Sequence, residues 1–568
     1  MRRPIHALAA AVIVVLVILV AAPLAGLVTR TLDADADGVW SQVFASPLSE
    51  NLLWRPLGNS LLVGLGVGAL ATVFGAFLAW VVVMSDIPGK RVIGVLATVP
   101  FALPSFAIAL AWESVFRNER IGGTPGLLSS VGISVPDDLS WGLVPTVLVL
   151  TAHYYSLSFV IVSAALLGIG GDLVAAAELT GASRLRVATR IVLPAVSPAI
   201  LSGFLLAFAE GVSNFAVPAL LGLPVRFQTL STRLYGAIST GDAVRGYALS
   251  IVLVVVAGMV LWAGNRATKR RSYATITGKA SGIRTVRTGA WRWPLFAMAA
   301  LLVTLTAIVP GLVLAVSTLL RRTNSFDGGF TLHYWLGESD SAIAQGMRGV
   351  LRDPIALDAT KSTILLGLLV AVGAALIGLL GAYVVRHLIR PRILGSTIGF
   401  LSYVPFLIPG VAFGAAFIAL FGAPIGPLPS LYGTFAILVV AGVAASLPFA
   451  FQTSKAALGQ VSNELEEAAV LTGAGGPRRF ARITTPLVSR GVVGGSVLVF
   501  VTMVRDLSLV VLLVTPATPL LATMTYRYAS EGFTQHANAI TLVIAVISVA
   551  ATILARRLTR AQPTGIPS

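Results

Sequence analysis

The chain has 568 residues, of which 56% are apolar and only 11% charged, and its mean hydropathy is +0.89. This composition is typical of a polytopic membrane protein. There is no cysteine, which excludes disulfides, thiolate metal sites and cysteine nucleophiles. The formal net charge of +17 comes from the loops on one side of the membrane and indicates nothing about a ligand.

Six apolar stretches long enough to cross a bilayer follow one another in the first part of the chain. The basic start and the apolar run at 7–28, which is too long for a signal-peptide core, predict a first span that is retained. The other five spans are expected near residues 57–84, 92–116, 141–167, 197–223 and 247–263.

A linker and a second set of six spans follow. Residues 265–292 contain eight Lys or Arg and no acid, which is typical of a solvated cytoplasmic linker with affinity for the membrane surface. The further spans are expected near residues 293–319, 358–385, 395–421, 432–453, 491–515 and 538–555. The predicted division is a first six-span half at 1–264, the basic linker at 265–292 and a second six-span half at 293–568. Since six is even, both halves enter the membrane in the same sense, as in a parallel duplication.

The fold class predicted is therefore an all-α membrane protein with about 12 transmembrane helices in two parallel six-helix halves. Lys and Arg are concentrated on the side of the N-terminus and of two repeated loops, which assigns that side and both termini to the cytoplasm.

The two repeated loops, which we call the coupling segments, are Asp172–Ala199 and Glu464–Gly491, and they match at a spacing of 292 residues. Each predicts a helix, a turn and a second helix, with Gly181 and Gly473 ending the first helix. Pro194 is expected to end the second helix of the first copy.

The repeated pattern is E-A-A, three residues, G, nine residues, I, any residue, L-P. It resembles the coupling loop of permease subunits in binding-protein-dependent ABC importers. The residues that carry the resemblance are Ala175, Ala176, Ala177, Gly181, Ile191 and Pro194, and Glu467, Ala468, Ala469, Gly473, Ile483 and Pro486. Ala175 stands where the family has Glu, and Thr485 where it has Leu. A single copy is also compatible with an ordinary amphipathic loop, but two copies in register favour the coupling loop.

The resemblance implies a permease of the type I importer fold in a bacterial cytoplasmic membrane. It implies a homodimeric ATP-binding subunit that uses ATP and Mg²⁺ and an extracytoplasmic solute-binding protein as partners. The chain itself has no phosphate-binding loop, because Gly278-Lys279 is followed by Ala280. We therefore expect no catalytic residue, resident metal, cofactor or nucleic-acid partner in this chain.

The segments Ser213–Tyr235 and Arg505–Gly532 resemble the ferric-iron branch of this family, so ferric iron is the solute expected. Thiamine, phosphonate and polyamine remain alternatives. An ion-coupled secondary transporter and a non-transporting membrane scaffold remain alternative classes, although neither explains the paired loops.

Polar residues inside the spans are candidates for a translocation path, because a charge at mid-bilayer costs about 2.5–3.5 kcal/mol on insertion scales. These candidates are Glu210, Ser213 and Asn214 in the fifth span and Arg505, Asp506 and Ser508 in the eleventh. Asn214 and Asp506 coincide at the spacing of 292, which predicts that they face each other across a pseudo-two-fold axis. The alternative is that these groups only hydrogen-bond helices together.

Other polar residues receive structural interpretations. Tyr154 and Tyr155 are expected to pack or to anchor the helix at the interface rather than to bind a ligand. Glu113, Arg117 and Glu119 are interpreted as solvated charges at a loop edge, with a docking contact as the alternative.

Overall fold

The structure is a computed structural model that describes residues 2–33, 38–169, 179–180, 183–269, 286, 288–387, 391–471 and 473–560. Ten helices in this part of the chain are long and apolar enough to cross a membrane, and two sharply bent helix pairs raise the number to 12 if each counts as one span. The prediction of an all-α membrane protein with about 12 membrane helices is confirmed. The β structure within the described residues is one two-stranded hairpin and two isolated bridges.

The described helices of the first half differ greatly in length, from four residues to thirty. In chain order they are α1 Arg2–Leu16, α2 Ala22–Asp33, α3 Val39–Phe44, α4 Arg55–Met84, α5 Lys90–Leu96, α6 Val99–Ala102, α7 Ser105–Phe116, α8 Leu127–Ser130, α9 Asp137–Ser140, α10 Leu143–Leu167, α11 Arg184–Val187, α12 Leu193–Ser213, α13 Ala216–Leu221, α14 Leu230–Ser239 and α15 Ala243–Lys269. Single π-helical turns at Val17–Ala21, Glu50–Trp54 and Ala188–Val192 join or precede α2, α4 and α12.

The second half repeats this order and adds the hairpin. Its elements are α16 Arg292–Val303, α17 Val309–Ser317, β1 Leu320–Arg322, β2 Ser325–Phe330, α18 His333–Leu336, α19 Pro354–His387, α20 Arg392–Tyr403, α21 Gly410–Phe421, α22 Phe435–Gly459, α23 Asn463–Leu471, α24 Gly476–Arg479, α25 Thr485–Val504, α26 Leu521–Ser530 and α27 Thr534–Arg560. The hairpin strands are antiparallel, with Leu320 opposite Phe330 and Arg322 opposite Ser325.

Each half is built around three mutually packed long helices, α4, α10 and α12 in the first and α19, α22 and α25 in the second. Glycine allows the first two helices of each set to touch. A Cβ on Gly75 would lie 2.7 Å from the Phe159 amide nitrogen, and one on Gly378 would lie 2.8 Å from that of Phe451. Small residues at such crossings let two helix backbones approach closely. The two three-helix cores are therefore equivalent in packing.

The first span of each half packs on the opposite half. Helices α1 and α2 contact α20 and α21, and the Arg30 Nε donates to the Ala419 carbonyl at 3.3 Å. Helix α17 contacts α7, and the hydroxyls of Tyr155 and Thr306 lie 3.0 Å apart. The halves thus interlock.

The predicted spans at 92–116 and 395–421 are each broken in the middle. The chain bends by 94° between Lys90–Ala102 and Ser105–Phe116 and by 113° between Ile393–Leu407 and Gly410–Phe421. Both breaks fall at a proline, Pro104 and Pro409, because proline cannot donate the backbone hydrogen bond that a continuing helix requires. Hydropathy alone did not distinguish these bent pairs from straight spans.

The predicted spans at 197–223 and 491–515 extend too far, because α12 ends at Ser213 and α25 at Val504. The apolar residues that follow Ser213 belong to the separate short helix α13. Asn214, Arg505, Asp506 and Ser508 consequently lie just beyond helix ends rather than within helices.

Most of the predicted basic linker, residues 270–285 and 287, lies outside the described residues. Its end is fixed to the first half: the Val286 amide donates to the Met84 carbonyl at 2.7 Å, and the Thr288 hydroxyl and amide donate to Asp86 Oδ1 at 2.6 and 2.9 Å. These hydrogen bonds from Thr288 lower the pKa of Asp86.

Candidate functional site

The second coupling segment forms the helix–turn–helix that its sequence predicts. Helix α23 ends in a Schellman motif, in which the Ala474 amide donates to the Ala469 carbonyl and the Gly473 amide to the Val470 carbonyl, both at 3.0 Å. Gly473 has a φ of +78°, which glycine adopts without strain. Glu467 and Ala468 lie on this helix, and Ala468 is exposed whereas Ala469 is buried.

The first coupling segment is described only in part. Ala175, Ala176, Ala177 and Gly181 lie outside the described residues. Beyond them the Arg186 amide donates to the Ser183 hydroxyl at 3.4 Å, at the start of α11.

The expectation that Pro194 ends a short helix is wrong. In both halves the chain continues from the coupling segment through a π-helical turn, Ala188–Val192 or Phe480–Thr484, directly into α12 or α25. Pro194 and Pro486 lie in the first turn of these long helices, where the wider turn accommodates the missing amide donor. Ile191 and Ile483 lie in the two π turns and are half-buried.

Two exposed leucines mark the same position in both copies. Leu179 is 89% exposed and Leu471 is 88% exposed, and they are 292 residues apart. No other large apolar side chain in the described residues is as exposed. The sequence analysis missed this pair, although both leucines stand two residues before the repeated glycine.

A cavity of about 250 Å³, lined by apolar residues and a group of polar and charged side chains, lies between the two halves. It forms where the two bent helix pairs and the ends of α12 and α25 meet. All six candidate path residues line it: Glu210, Ser213, Asn214, Arg505, Asp506 and Ser508. On the side of the coupling segments the cavity extends to Leu206 and Leu498.

Asn214 and Asp506 have equivalent roles at the ends of α12 and α25. The Val217 amide donates to Asn214 Oδ1 at 3.0 Å, and the Leu509 amide donates to Asp506 Oδ1 at 3.1 Å. Each side chain thus turns the chain out of its long helix. The two residues line the same cavity from opposite halves, as expected from the repeat.

Tyr154 of α10 lines this cavity, a position that the sequence analysis did not predict. Asn214 Nδ2 donates to the Tyr154 hydroxyl at 3.1 Å and to the Ser105 hydroxyl at 3.1 Å. The Tyr154 side chain is 5% exposed and lines the cavity next to Glu210. Tyr155 instead packs, fully buried, toward Thr306.

Arg505 connects the second half to the break in the third span of the first half. Its guanidinium lies 4.6 Å from the centre of the Phe101 ring, and its Nη1 donates to the Leu103 carbonyl at 3.4 Å. Glu210 and Asp506 face the same cavity, which therefore contains two carboxylates and one guanidinium. Ser508 lies against Gly410 at the start of α21.

Three aromatic rings contact one another beyond Asn214, on the side away from the coupling segments. Phe215 lies 4.7 Å from Tyr235 and 5.5 Å from Tyr526, and the two tyrosines are 6.3 Å apart, measured between ring centres. Tyr235 of α14 and Tyr526 of α26 occupy equivalent positions in the two halves, so the contact lies at the pseudo-two-fold axis. We call these three residues the aromatic cluster.

The interpretation of Glu113 as a solvated charge is wrong. Glu113 is 8% exposed and pairs with Arg117 at 2.5 Å within the helix turn that ends α7. Arg117 also lies over the Trp141 ring at 5.7 Å. Burial of this pair by the 117–142 loop was not apparent from the local sequence.

Comparison with known proteins gives the following matches. Residues 71–322 and 364–563 each match the family described as binding-protein-dependent transport system inner membrane component. The chain is 25% identical over 488 residues to the ferric transport system permease protein FbpB of Actinobacillus pleuropneumoniae, a match that covers 83% of this chain and 66% of that protein.

Two further relatives are similar in different ways. A putative ferric transport system permease protein FbpB of Haemophilus influenzae is 25% identical over 502 residues, covering 85% of this chain and 74% of its own length. The molybdenum transport system permease protein ModB of Escherichia coli K12 is 29% identical over 216 residues, covering 37% of this chain and 92% of its own length. The longer relatives therefore match both halves, and the shorter one matches about one half.

Proposed function

Because this chain belongs to the family of binding-protein-dependent transport system inner membrane components, we propose that it is the membrane-spanning permease of an ABC importer, with both six-span halves on one polypeptide. It translocates a small solute that an extracytoplasmic binding protein delivers. The proposed division is 1–264 and 293–568 for the halves and 265–292 for a cytoplasmic linker. The membrane is the bacterial cytoplasmic membrane, and both termini lie in the cytoplasm.

One observation supports this mechanism above all: the second helix of each coupling segment, α11 or α24, continues through a π turn without interruption into the helix whose far end lines the cavity. Helix α12 has 21 residues and α25 has 20, so each is a rod of about 30 Å. Displacement of a coupling segment is thereby transmitted to Glu210 and Asn214 in one half and to Arg505 and Asp506 in the other.

The work comes from a separate homodimeric ATP-binding subunit, which uses ATP and Mg²⁺. We propose that it contacts Leu179 and Leu471, since large exposed apolar side chains are typical of protein interfaces. The repeated Ala, Gly and Pro residues of the coupling segments set the helix–turn–helix shape that presents these leucines. Each nucleotide state then favours one arrangement of the two halves.

We propose ferric iron as the solute. The two longer relatives are named as ferric permeases, and the cavity presents two carboxylates, the Tyr154 hydroxyl and amide and hydroxyl oxygens. Hard oxygen groups of this kind suit hard cations. With one guanidinium against two carboxylates, the formal charge of the ionised groups is negative, which favours passage of a cation.

An oxyanion is the second candidate, because the molybdenum permease ModB is similar to about half of this chain and Arg505 faces the cavity. In that case Arg505 carries the recognition, and the carboxylates oppose it. The two solutes therefore predict opposite effects of Glu210→Gln.

The test is uptake into proteoliposomes that contain the permease with its co-purified ATP-binding subunit and binding protein. Radioactive ferric iron and molybdate are supplied separately, with ATP inside the vesicles or with an imposed ion gradient and no ATP. We expect ATP-dependent iron uptake that falls in Glu210→Gln and in Asp506→Asn at equal protein content. Uptake driven by the ion gradient alone would refute the ABC mechanism, and wild-type uptake in both variants would refute the path.

A further inference from the structure

Three arginines of the first half surround a separate cavity of about 460 Å³ at the end of the molecule away from the coupling segments. The cavity is lined by Asn51, Arg55, Pro56, Asn59, Arg226, Gln228 and Arg233, a set that contains three cations and no acid. We call it the arginine pocket. It is distinct from the cavity between the halves, with which it shares no residue.

In the described part of the chain, no carboxylate oxygen lies within ion-pair distance of the three guanidinium groups of the arginine pocket. Arg55, Arg226 and Arg233 take part in no ion pair there, whereas the neighbouring Arg245 pairs with Asp242 at 2.6 Å. The Nε of Arg233 is buried and has no hydrogen-bond partner. Burial lowers the pKa of Arg233, and the charge of Arg245 lowers it further, whereas Asp242 opposes this shift. Guanidinium groups form strong, often bidentate hydrogen bonds with carboxylate and phosphate oxygens.

The backbone positions these arginines specifically. Arg226 has a φ of +60°, which a residue other than glycine rarely adopts. The turn is held by hydrogen bonds from the Arg226 amide to the Leu223 carbonyl and from the Phe227 amide to the Gly222 carbonyl, both at 3.0 Å. Asn59 Nδ2 donates to the Gln228 carbonyl at 2.8 Å and fixes this loop to α4. Strained conformations of this kind concentrate at functional sites.

The equivalent positions of the second half carry no arginine. Ser60 accepts a hydrogen bond from the Leu230 amide, and Thr363 accepts the equivalent one from the Leu521 amide, which aligns the two halves here. These two hydrogen bonds place Asp358 at the position of Arg55 and Met524 at the position of Arg233. The match of Pro224 with Pro516 places Thr518 at the position of Arg226. Asp358 pairs with Lys361 at 3.1 Å. The pocket is therefore not a requirement of the fold.

The length of α4 indicates the depth at which the arginine pocket lies in the membrane. Helix α4 continues at its N-terminal side through the π turn to Glu50, and its segment from Arg55 to Met84 alone is about 44 Å long at 1.5 Å per residue. That length equals the distance of about 40–45 Å between the two headgroup layers of a bilayer. Next to Arg55, Trp54 is 46% exposed and its ring contacts Phe44, which is 43% exposed, with ring centres 6.1 Å apart. Exposed aromatic residues of this kind are typical of the interface.

We propose that the arginine pocket binds a phosphate group at the extracytoplasmic face of the membrane that the protein spans. The phosphate group belongs to an anionic phospholipid headgroup or is free phosphate. The guanidinium forks of Arg55, Arg226 and Arg233 hold its oxygens, and the amides of Asn51 and Asn59 add neutral contacts. The site stabilises the first half and does not depend on which solute is transported.

The experiment uses the full chain, with any co-purified subunits, in nanodiscs. Thermal unfolding is followed by tryptophan fluorescence in phosphatidylcholine alone, in a mixture with phosphatidylglycerol, and in phosphatidylcholine with inorganic phosphate at constant ionic strength. The test variant is Arg55→Gln with Arg226→Gln. The control is Arg321→Gln with Arg322→Gln, which removes the same charge from exposed positions on the same side of the protein.

We expect phosphatidylglycerol or phosphate to raise the unfolding temperature of the wild type and of the control variant. In the test variant, the concentration of phosphatidylglycerol or phosphate needed for the same rise in unfolding temperature is about tenfold higher or more, since charge-assisted hydrogen bonds are lost. A response to phosphatidylglycerol alone identifies a lipid, and a response to inorganic phosphate identifies the free anion. The proposal is overturned if the rise in unfolding temperature is lost equally in the test and control variants, or if neither phosphatidylglycerol nor phosphate raises the unfolding temperature of the wild type. Loss of binding-protein affinity in the test variant without any change in the lipid or phosphate response overturns it as well.

Discussion

The aromatic cluster gives the sharpest test of the proposed path, since it joins the two halves beyond the cavity, on the side away from the coupling segments. We expect this contact to close the path on that side. We consider Tyr526→Leu, which keeps an apolar side chain at this position and removes the aromatic ring. This change eliminates two of the three ring contacts, those to Phe215 at 5.5 Å and to Tyr235 at 6.3 Å.

The expected magnitude follows from these two contacts. An aromatic pair contributes about 0.5–1.5 kcal/mol beyond its buried area, so the closed state loses about 1–3 kcal/mol. If the rings separate when the cavity opens outward, the outward-open population rises about 5- to 150-fold.

The assay uses the absence of cysteine from the chain, which makes a single introduced thiol the only target. With Ser213→Cys in the cavity, a membrane-impermeant maleimide is applied from outside, and the rate of labelling reports the outward-open population. We expect a slow labelling rate when Tyr526 is intact. In Tyr526→Leu the labelling rate should be about 5- to 150-fold higher, in proportion to the outward-open population.

The matched control is Tyr528→Leu, on the same helix α26 but in contact with Phe533 and His536 instead of the cluster. If Tyr526→Leu does not accelerate labelling, or if the control accelerates it equally, the cluster is not the closure. If the thiol of Ser213→Cys is labelled fast from the side of the coupling segments and not at all from outside, the aromatic cluster is still closed and the cavity opens toward the coupling segments.

Three further predictions concern coupling and packing. Leu179→Asp or Leu471→Asp should each reduce transport-coupled ATP hydrolysis and subunit co-purification, because the exposed apolar contact is lost, whereas Leu428→Asp, an exposed leucine outside the coupling segments, should not. Gly75→Ala and Gly378→Ala should each destabilise the protein by up to about 2 kcal/mol, since the overpacking cost is about 1–3 kcal/mol and the helix propensity gained offsets about 1 kcal/mol of it. Gly258→Ala, which meets no atom within 4 Å, should be neutral or stabilising in the same thermal unfolding assay, and equal effects at all three positions would contradict the close helix contact. Arg117→Gln should cost about 3–5 kcal/mol by leaving Glu113 buried and unpaired, whereas Arg120→Gln at the exposed pair with Asp137 should cost less than about 1 kcal/mol, as measured by unfolding.

The sequence predicts the span number and the duplication because both depend on local composition and on register. It pairs Asn214 with Asp506 through the spacing of the repeat, and in the structure each ends a long helix with the same side-chain-to-backbone hydrogen bond. It fails for features that depend on contacts in the folded chain and not on local composition. The bends at Pro104 and Pro409 lie inside continuous apolar runs, and the contacts of Tyr154 and Phe101 with the site join residues distant in sequence.

The spacing between equivalent positions also changes along the chain, and the structure explains the change. Pro104 and Pro409 are 305 residues apart, whereas Asn214 and Asp506 are 292 apart. The connection from α7 to α10 occupies residues 117–142, and the equivalent one from α21 to α22 occupies 422–434, which is shorter by the same 13 residues. The extra residues of the first half form the loop that buries Glu113. Insertions are therefore confined to connections, and the helix cores keep their register.

Fusion of the two halves allows the cavity to be asymmetric. At equivalent positions the first half has Glu210 and Ser213 where the second has Thr502 and Arg505, and it has Tyr154 where the second has Ser446. A homodimer would duplicate each group, so that two Arg505 or two Glu210 side chains would face each other across the axis and repel. In one chain Arg505 instead reaches Phe101 and Leu103 of the opposite half, in a position whose equivalent in the first half is the small Ser213. The single guanidinium thus joins the halves next to two carboxylates, an arrangement that two identical subunits cannot form.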